Sequence, residues 1–398
     1  MPTADANLMI KTQEEFDQLC AALRHAPQIA FDTEFIPERT YTPELCLVQV
    51  ATDKIVTAFD PLSLPDVTPF WQALVETEAE VIVHAGKHEM DFCVAATQKL
   101  PARLVDVQLA AGFVGLGYPI SYTNLVSRVL NAHVHSAETR TDWSHRPLSA
   151  RQIQYALDDV RHLIPIWNQV AGMLDAKGRR QWYADELTIQ YSSHLEDASL
   201  RSRRVSGAGG LKPRALAVMR EIVAWREERA RVLNRPPRWI LRDDIIAELA
   251  KRQPTTLEEL RSTRGLGIDG KAQWAKELLA AIERGISIPE DDLPRSSGRR
   301  ETTEEQMVAK ILAAAMLQRG SEQGIATGVI GSNEDLRDLV DWFRSGEKAE
   351  KPGLLIGWRE ELIGRYLLQI LSGEVVARVS ATANEIKLHF EPASQHQS

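Results

Sequence analysis

Cysteine is scarce in this chain of 398 residues, where only Cys20, Cys46 and Cys93 occur. Their spacing fits neither a disulfide framework nor a zinc site, so the sequence predicts free thiols in a reducing compartment. Long apolar runs that could span a bilayer are also missing. The first residues lack the basic and apolar regions of a secretory signal. Together these absences favour a cytoplasmic protein that does not enter a membrane.

Positive charge is in the minority as well, because the formal net charge is −8. This balance argues against a protein that coats nucleic acid with its whole surface, although it allows a local basic patch. The length exceeds one ordinary core and indicates two or three domains. The "GAGG" stretch and the polar stretch "PEDDLPRSSGRRETTEE" divide the chain into predicted units at 1–200, 208–288 and 302–390.

The first unit alternates strand-like and helix-like segments. The β-rich runs "IAFDTEF", "LCLVQVA" and "KIVTAFD" come first, followed by helical "WQALVETE", the apolar strand "AEVIVHAG" and further helices. This order predicts an α/β unit in which helices flank a mixed sheet. The two later units have the helical pattern throughout and are predicted to be all-α.

Two carboxylates interrupt the first of these strands, in "IAFDTEFIPER". Because side chains alternate on a strand, Asp32 and Glu34 lie on the same face. One interpretation is a half-exposed strand whose polar face meets water. The other is a divalent-metal site, since paired anions in a cleft of low dielectric constant need a cation to offset their repulsion.

Two further acidic clusters follow in the same unit. "VIVHAGKHEMDF" leads from a buried strand into a helix that carries Glu89 and Asp91. "SARQIQYALDDV" opens with capping-box spacing, and its Tyr155 and Asp159, four residues apart, share one helix face. Each cluster alone has an ordinary structural explanation, but their occurrence together in one α/β unit favours a shared site.

The order "FDTEF", "HAGKHEMDF" and "YALDD" resembles the DEDD exonucleases with tyrosine in the last motif. The longer stretches "FDTEFIPERTYTPELCLVQVA" and "ETRTDWSHRPLSARQIQYALDDVRHLIPIW" resemble ribonuclease D. The resemblance implies a ribonuclease H-like 3′–5′ exonuclease fold. It also implies two Mg²⁺ or Mn²⁺ ions, held about 3.5–4 Å apart by carboxylates. The implied ligands are Asp32, Glu34, Glu89 and Asp159, with Tyr155 orienting the attacking water.

The chain departs from the family where ribonuclease D has an aspartate, because Glu89 occupies that position. Asp91 lies two residues further along, about 200° around the helix, and is expected to face away. Glu89 is therefore the expected ligand, with Asp91 as the alternative. The longer glutamate puts the rate and the metal preference in doubt more than the reaction type.

A basic segment lies between residues 198 and 242, where twelve lysines and arginines face three acids. Such an excess is typical of phosphate contact, although a solvated helix face is the alternative. "VAWREERARVLNRPPRWILRDDIIAELAKRQPTTLEELRSTRGL" resembles an HRDC domain, and the last unit resembles a second, more divergent one. The side chains expected to contact nucleic acid are Phe35, which could stack on the terminal base, and Arg140, Arg229, Arg235 and Arg238.

The leading hypothesis is a metal-dependent 3′–5′ exoribonuclease that trims tRNA precursors and other small structured RNAs. Its partner would be a single-stranded 3′ end, and the family resemblance implies a monomer. Two alternatives stay open at this point. One is a DNA 3′–5′ exonuclease, and the other is a nucleic-acid-binding protein whose catalysis is weakened by Glu89.

Overall fold

The computed structural model describes residues 9–134, 141–192, 195, 211–267, 272–294, 302–346, 350–381 and 386–393. The "GAGG" stretch, residues 295–301 of the second linker and Arg140 lie outside these ranges. No helix among the described residues is long and apolar enough to cross a membrane.

A six-stranded mixed sheet forms the first part of the chain, in the order β1-β4-β3-β2-β5-β6. The pairs β2/β3 and β3/β4 are antiparallel, whereas β1/β4, β2/β5 and β5/β6 are parallel. The strands are β1 (Met9–Ile10), β2 (Gln28–Ile36), β3 (Glu44–Ala51), β4 (Val56–Phe59), β5 (Glu80–Val83) and β6 (Leu104–Asp106). The predicted α/β fold with a mixed sheet is confirmed.

Helices cover both faces of this sheet. They are α1 (Gln13–Leu23), α2 (Thr68–Glu76), α3 (Lys87–Thr97), α4 (Val107–Phe113), α5 (Tyr122–Leu130), α6 (Ala150–Arg161), α7 (Leu163–Ala176) and α8 (Arg180–Ser192). Phe16, Phe31 and Phe70 are fully buried in the core on the face that α1 and α2 cover. On the opposite face, α6 packs over β3 and β4 through Ala156 and Leu157.

A helical bundle follows with a core of its own, which includes Val218, Ile222, Ile246 and Leu278. Its helices are α9 (Pro213–Val232), α10 (Pro237–Ile240), α11 (Asp243–Arg252), α12 (Leu257–Arg261) and α13 (Ala272–Ser287). The backbone N–H of Tyr41, beyond the end of β2, donates to Asn234 Oδ1 of this bundle at 3.2 Å. That contact brings the bundle to the end of the strand that carries Asp32 and Glu34.

The last part of the chain contains α14 (Thr303–Gln323), α15 (Thr327–Ile330), α16 (Asn333–Arg344) and α17 (Arg365–Leu371). These helices share one apolar core with the first part, where Trp358 packs on Phe113 and stacks on Trp182. Arg359 also pairs with Glu186 of α8 at 2.6 Å. The third predicted unit is therefore packed directly onto the sheet-containing unit.

A β-hairpin ends the described chain, with β7 (Val375–Ala381) paired antiparallel to β8 (Ile386–Pro392). The all-helical interpretation of residues 302–390 did not include it. Val375, Val376 and Val379 have the β-branched side chains that favour strands over helices. This strand preference is confined to a short segment, and the prediction for residues 302–390 follows the longer helical pattern that precedes it.

Candidate active site

The carboxylates of β2 lie at the open edge of the strand. β2 pairs with β5 only from Gln28 to Ala30, so the stretch from Asp32 onward is paired with β3 alone. The free edge faces the turn by which β5 enters α3. Crevices at the carboxyl ends of parallel strands are common binding positions in α/β folds, and Asp32 and Glu34 lie at such an end.

The turn between β5 and α3 delivers Glu89 to this edge. Ala85 has a φ of 56°, and a Cβ on Gly86 would meet Val83 at 2.3 Å, so the tight turn requires glycine there. Asp106 fixes the turn by accepting a hydrogen bond from the Ala85 N–H at 3.1 Å. The first turn of α3 then places the buried Glu89 carboxylate beside β2, where Thr33 Oγ1 donates to Glu89 Oε1 at 2.5 Å.

Asp91 has different surroundings. Its carboxylate lies 3.7 Å from His88 Nδ1, and its side chain keeps 29% of its exposure. Glu89, in contrast, is one of the charges acting on Glu34, and the charge of Asp32 acts on Glu89. The structure therefore brings Glu89 into the acidic cluster and leaves Asp91 at its periphery. Whether Glu89 is a metal ligand stays a prediction.

Helix α6 supplies the remaining two residues. The predicted capping box is confirmed: Ser149 Oγ accepts from the Gln152 N–H, and Gln152 Oε1 accepts from the Ser149 N–H. One turn separates Tyr155 from Asp159 on α6, and the Tyr155 side chain lowers the pKa of the Asp159 carboxyl against the effect of burial. The neighbouring Asp158 turns away from the cluster.

Four carboxylates thus share one low-dielectric environment. Burial is the largest cause of the raised pKa in every case, with the neighbouring negative charges adding to it. The pKa rises to about 7 for Asp32 and for Asp159, to about 8 for Glu89 and to about 9 for Glu34. Burial and the adjacent Asp159 also raise the pKa of Tyr155. Such a cluster favours either bound protons or bound cations.

The donor set fits a hard divalent cation, since carboxylate oxygens are the ligands that Mg²⁺ and Mn²⁺ prefer. Among the described residues, however, no three carboxylate, imidazole or thiol groups are arranged as a complete ion site. Mutual repulsion of like charges is a physical reason for carboxylates to keep apart. The residues therefore match the chemistry of the ion, but they do not form a closed cage.

Phe35 lies next to the acidic cluster in a group of aromatic rings. Its ring centroid is 4.8 Å from that of His88 and 5.6 Å from that of Phe92. The side chain is half-buried, so one part of the ring still faces outward. Its stacking on a base stays a prediction.

The arginines predicted to contact nucleic acid are partly neutralised within the helical bundle. Arg229 pairs with Glu277, and Arg238 lies 3.6 Å from Asp243. Both acids lie outside residues 198–242, so the excess of positive charge in this region is smaller than the sequence indicated. Arg235 has no acidic partner among the described residues.

Two side chains of interest were not found from the sequence. Gln49 on β3 lies directly opposite Asp32 and is fully buried. Trp239, in α10, is 62% exposed. The "LCLVQVA" strand gave a signal for Gln49, because a glutamine interrupts an otherwise apolar run. "RPPRW" gave a signal for Trp239, because an aromatic residue there lies among arginines.

The chain is similar over nearly its whole length to known proteins. A family model described as a 3′–5′ exonuclease matches residues 7–175, and an HRDC domain model matches residues 215–282. The chain is 33% identical to ribonuclease D of Zymomonas mobilis over 91% of this chain and 93% of the relative. It is 32% identical to ribonuclease D of Granulibacter bethesdensis over 96% of both chains.

A solved structure gives the same result. The crystal structure of Escherichia coli RNase D matches with a TM-score of 0.76 and 28% identity, covering 92% of this chain and 99% of that one. Nucleases of this fold depend on divalent metal ions, which agrees with the carboxylate cluster. The fold, the two family matches and the identity over nearly the whole length lead to one conclusion. The chain belongs to the ribonuclease D family of 3′–5′ exoribonucleases.

Proposed function

We propose that this protein shortens the 3′ ends of small structured RNAs, including tRNA precursors, and releases nucleoside 5′-monophosphates. The observation that carries this proposal is the cluster of buried carboxylates beside Tyr155. Three separate elements, β2, α3 and α6, deliver Asp32, Glu34, Glu89 and Asp159 to one environment in which each pKa is raised. A structural role would not require so many acids in one buried place.

In the proposed mechanism these four carboxylates hold two divalent ions, Mg²⁺ or Mn²⁺. When bound, such ions activate the attacking water and stabilise the leaving oxygen of the phosphodiester. Asp32 and Glu34 provide oxygens from the strand and Asp159 from the helix, while Glu89 keeps one oxygen on Thr33 and offers the other. Tyr155, one helical turn from Asp159, positions the water for attack on the last phosphate.

The RNA would enter with its single-stranded 3′ end first. Phe35 would stack on the terminal base, because aromatic stacking accepts any sequence. Upstream phosphates would contact Arg235 and Arg238 of the helical bundle. Arg229, although paired with Glu277, would contribute to the same contact. Arg140 is proposed to contact the RNA as well. The contact between Tyr41 and the bundle supports this path, since it links the end of β2 to the segment that carries Arg235.

The weakened-nuclease alternative rests on Glu89 in place of aspartate. Glu89 is buried within the acidic cluster, and its charge acts on that of Glu34. This placement supports retained catalysis. The three buried free thiols support a reducing compartment such as the cytoplasm, where we propose that the protein acts as a monomer.

Degradation of end-labelled RNA and of matched DNA, each with Mg²⁺, Mn²⁺ or EDTA, tests the proposal. We expect stepwise shortening of the RNA from its 3′ end, dependent on metal, with tRNA precursors carrying 3′ extensions as substrates. Glu89→Gln should abolish this activity, whereas Asp91→Asn, the matched control on the same helix, should retain it. Equal degradation of DNA would favour the DNA exonuclease, and binding without cleavage would favour the weakened protein.

A further inference from the structure

Gln49 is an anomaly in the sheet. Its side chain is fully buried, and neither Nε2 nor Oε1 has a hydrogen-bond partner among the described residues. Buried amides in folded proteins nearly always have partners, so an unpaired one calls for a physical explanation. The explanation must come from the groups that surround it.

The strand neighbours directly beside and opposite Gln49 on its face of the sheet are apolar except for one. Residues that face each other on antiparallel strands share a face, and Gln49 is paired with Asp32 on β2 and with Ala58 on β4. On the same face, Leu47 and Ala51 flank it along β3. The Asp32 carboxylate is therefore the polar group directly opposite the amide, at a pair spacing of about 4.5–5.5 Å between Cβ atoms.

We propose that Gln49 is a positioning residue for Asp32, and this inference rests on the proposed two-ion function. When Asp32 holds a divalent cation, Gln49 Nε2 would donate a hydrogen bond to the Asp32 carboxylate and so fix the orientation of that side chain. A neutral amide suits this role because it can hold a carboxylate in place without neutralising its charge. Partners of this kind orient metal ligands in many sites, and their loss typically weakens metal binding by about 10- to 100-fold.

The test replaces Gln49 by methionine, which has a similar size and shape but no amide. In the full-length protein with EDTA, we expect Gln49→Met to unfold at the same or a higher urea concentration than wild type, because the amide contributes no bond to the metal-free fold. In calorimetric titrations with Mn²⁺ alone, we expect about tenfold weaker binding. The kcat for RNA should fall by a similar factor while KM stays unchanged.

A glutamine on the neighbouring strand provides the matched control. Gln28 Nε2 donates to Glu80 and to Asn168, both at 2.9 Å. Gln28→Met should therefore lower the stability of the metal-free protein and leave Mn²⁺ affinity unchanged. A second comparison starts from the Asp32→Asn variant. Adding Gln49→Met to that variant should have no further effect on Mn²⁺ binding.

The outcomes separate this inference from the proposed function. If wild type binds Mn²⁺ and Gln49→Met binds it equally well, the positioning role is overturned while the nuclease proposal stands. Loss of metal-free stability in both Gln49→Met and Gln49→Leu would also overturn it, because that result indicates an ordinary structural glutamine. If wild type itself binds no Mn²⁺, both proposals are overturned together.

A second inference starts from Trp239. Trp239 is 62% exposed and lies in α10, which begins after Pro236, and its backbone N–H donates to the carbonyl oxygen of Pro236 at 2.9 Å. The two prolines, Pro236 and Pro237, hold the backbone of this turn in a fixed shape. Arg235 and Arg238 precede Trp239 in the chain, and the side chain of Arg238 is 79% exposed.

This surface lies close to the path that leads from the acidic cluster. Asn234 contacts Tyr41, which lies seven positions after Glu34 in the chain, a span of at most about 25 Å. We infer, on the basis of the proposed function, that Trp239 stacks on a nucleobase of the single-stranded RNA a few nucleotides upstream of the 3′ end, while Arg235 and Arg238 contact its phosphates. Stacking on aromatic rings combined with basic side chains is how proteins hold single strands regardless of sequence.

RNA length tests this inference. In EDTA, where metal-dependent cleavage is blocked, Trp239→Ala should weaken binding of a 12-nucleotide RNA about tenfold and leave binding of a 4-nucleotide RNA unchanged. Trp239→Phe should restore most of the loss, because phenylalanine also stacks. Val232→Ala, which removes another exposed apolar side chain of the bundle, should change neither. Equal affinities of wild type and Trp239→Ala for the longer RNA would overturn the inference, and so would equal losses at both lengths.

Discussion

Glu89→Gln should stabilise the metal-free protein even though it abolishes the proposed activity. Burial and the charges of Asp32 and Asp106 raise the pKa of Glu89 from 4.5 to about 8, and the hydrogen bond from Thr33 only partly offsets this. The native state therefore keeps a proton on Glu89 that the unfolded chain releases. The contribution of this protonated side chain to stability is fully present below pH 4.5 and is lost as pH rises through about 8.

The magnitude follows from these two values. Each pKa unit corresponds to about 1.36 kcal/mol, so the ionisable side chain lowers the free energy of unfolding by about 3 kcal/mol at pH 7 and by less than about 1 kcal/mol at pH 5. Glutamine resembles the protonated form and keeps an oxygen that can accept from Thr33. The variant should therefore be more stable than wild type at pH 7, with little difference at pH 5.

Urea unfolding in EDTA at pH 5, 6, 7 and 8 measures this difference. Asp91→Asn is the matched control, because its carboxylate is outside the cluster and should leave the pH dependence unchanged. Addition of Mg²⁺ should reverse the order at pH 7, since wild type gains stability from the ion and the variant gains less. The reasoning is refuted if Glu89→Gln is less stable than wild type at pH 7 in EDTA, or if the two differ equally at every pH.

Three further predictions concern single side chains. Tyr155→Phe should lower kcat by about 10²- to 10³-fold in RNA degradation assays and leave Mn²⁺ affinity unchanged, because Asp159 remains in place. Arg359→Met should lower the free energy of unfolding by about 2 kcal/mol, because it leaves the half-buried carboxylate of Glu186 unpaired. A double variant with Glu186→Gln should recover part of the loss in urea titrations, and no recovery would contradict the pairing. Arg235→Ala should reduce the salt dependence of RNA binding by about one phosphate contact, and an unchanged slope would exclude that contact.

The sequence alone determined the α/β class of the first unit and the faces on which several of the acidic residues lie. Alternation along "IAFDTEF" placed Asp32 and Glu34 on one face, and helical spacing paired Tyr155 with Asp159. Both arguments succeed because the periods of strands and helices are local properties of the chain. The sum of charges in the basic segment was less informative, since the acids that pair with Arg229 and Arg238 lie beyond that segment.

Only the tertiary structure decided which groups meet. That Glu89 lies in the cluster and Asp91 at its periphery depends on the β5–α3 turn, whose shape Asp106 fixes from another strand. Gln49 faces Asp32 because of the register between β2 and β3, and this register cannot be read from the sequence. The packing of Trp358 on Phe113 likewise joins residues far apart in the chain. Periodicity fixes the face of each element on which a side chain lies, whereas packing between elements fixes its neighbours, and the chemistry of this site depends on those neighbours.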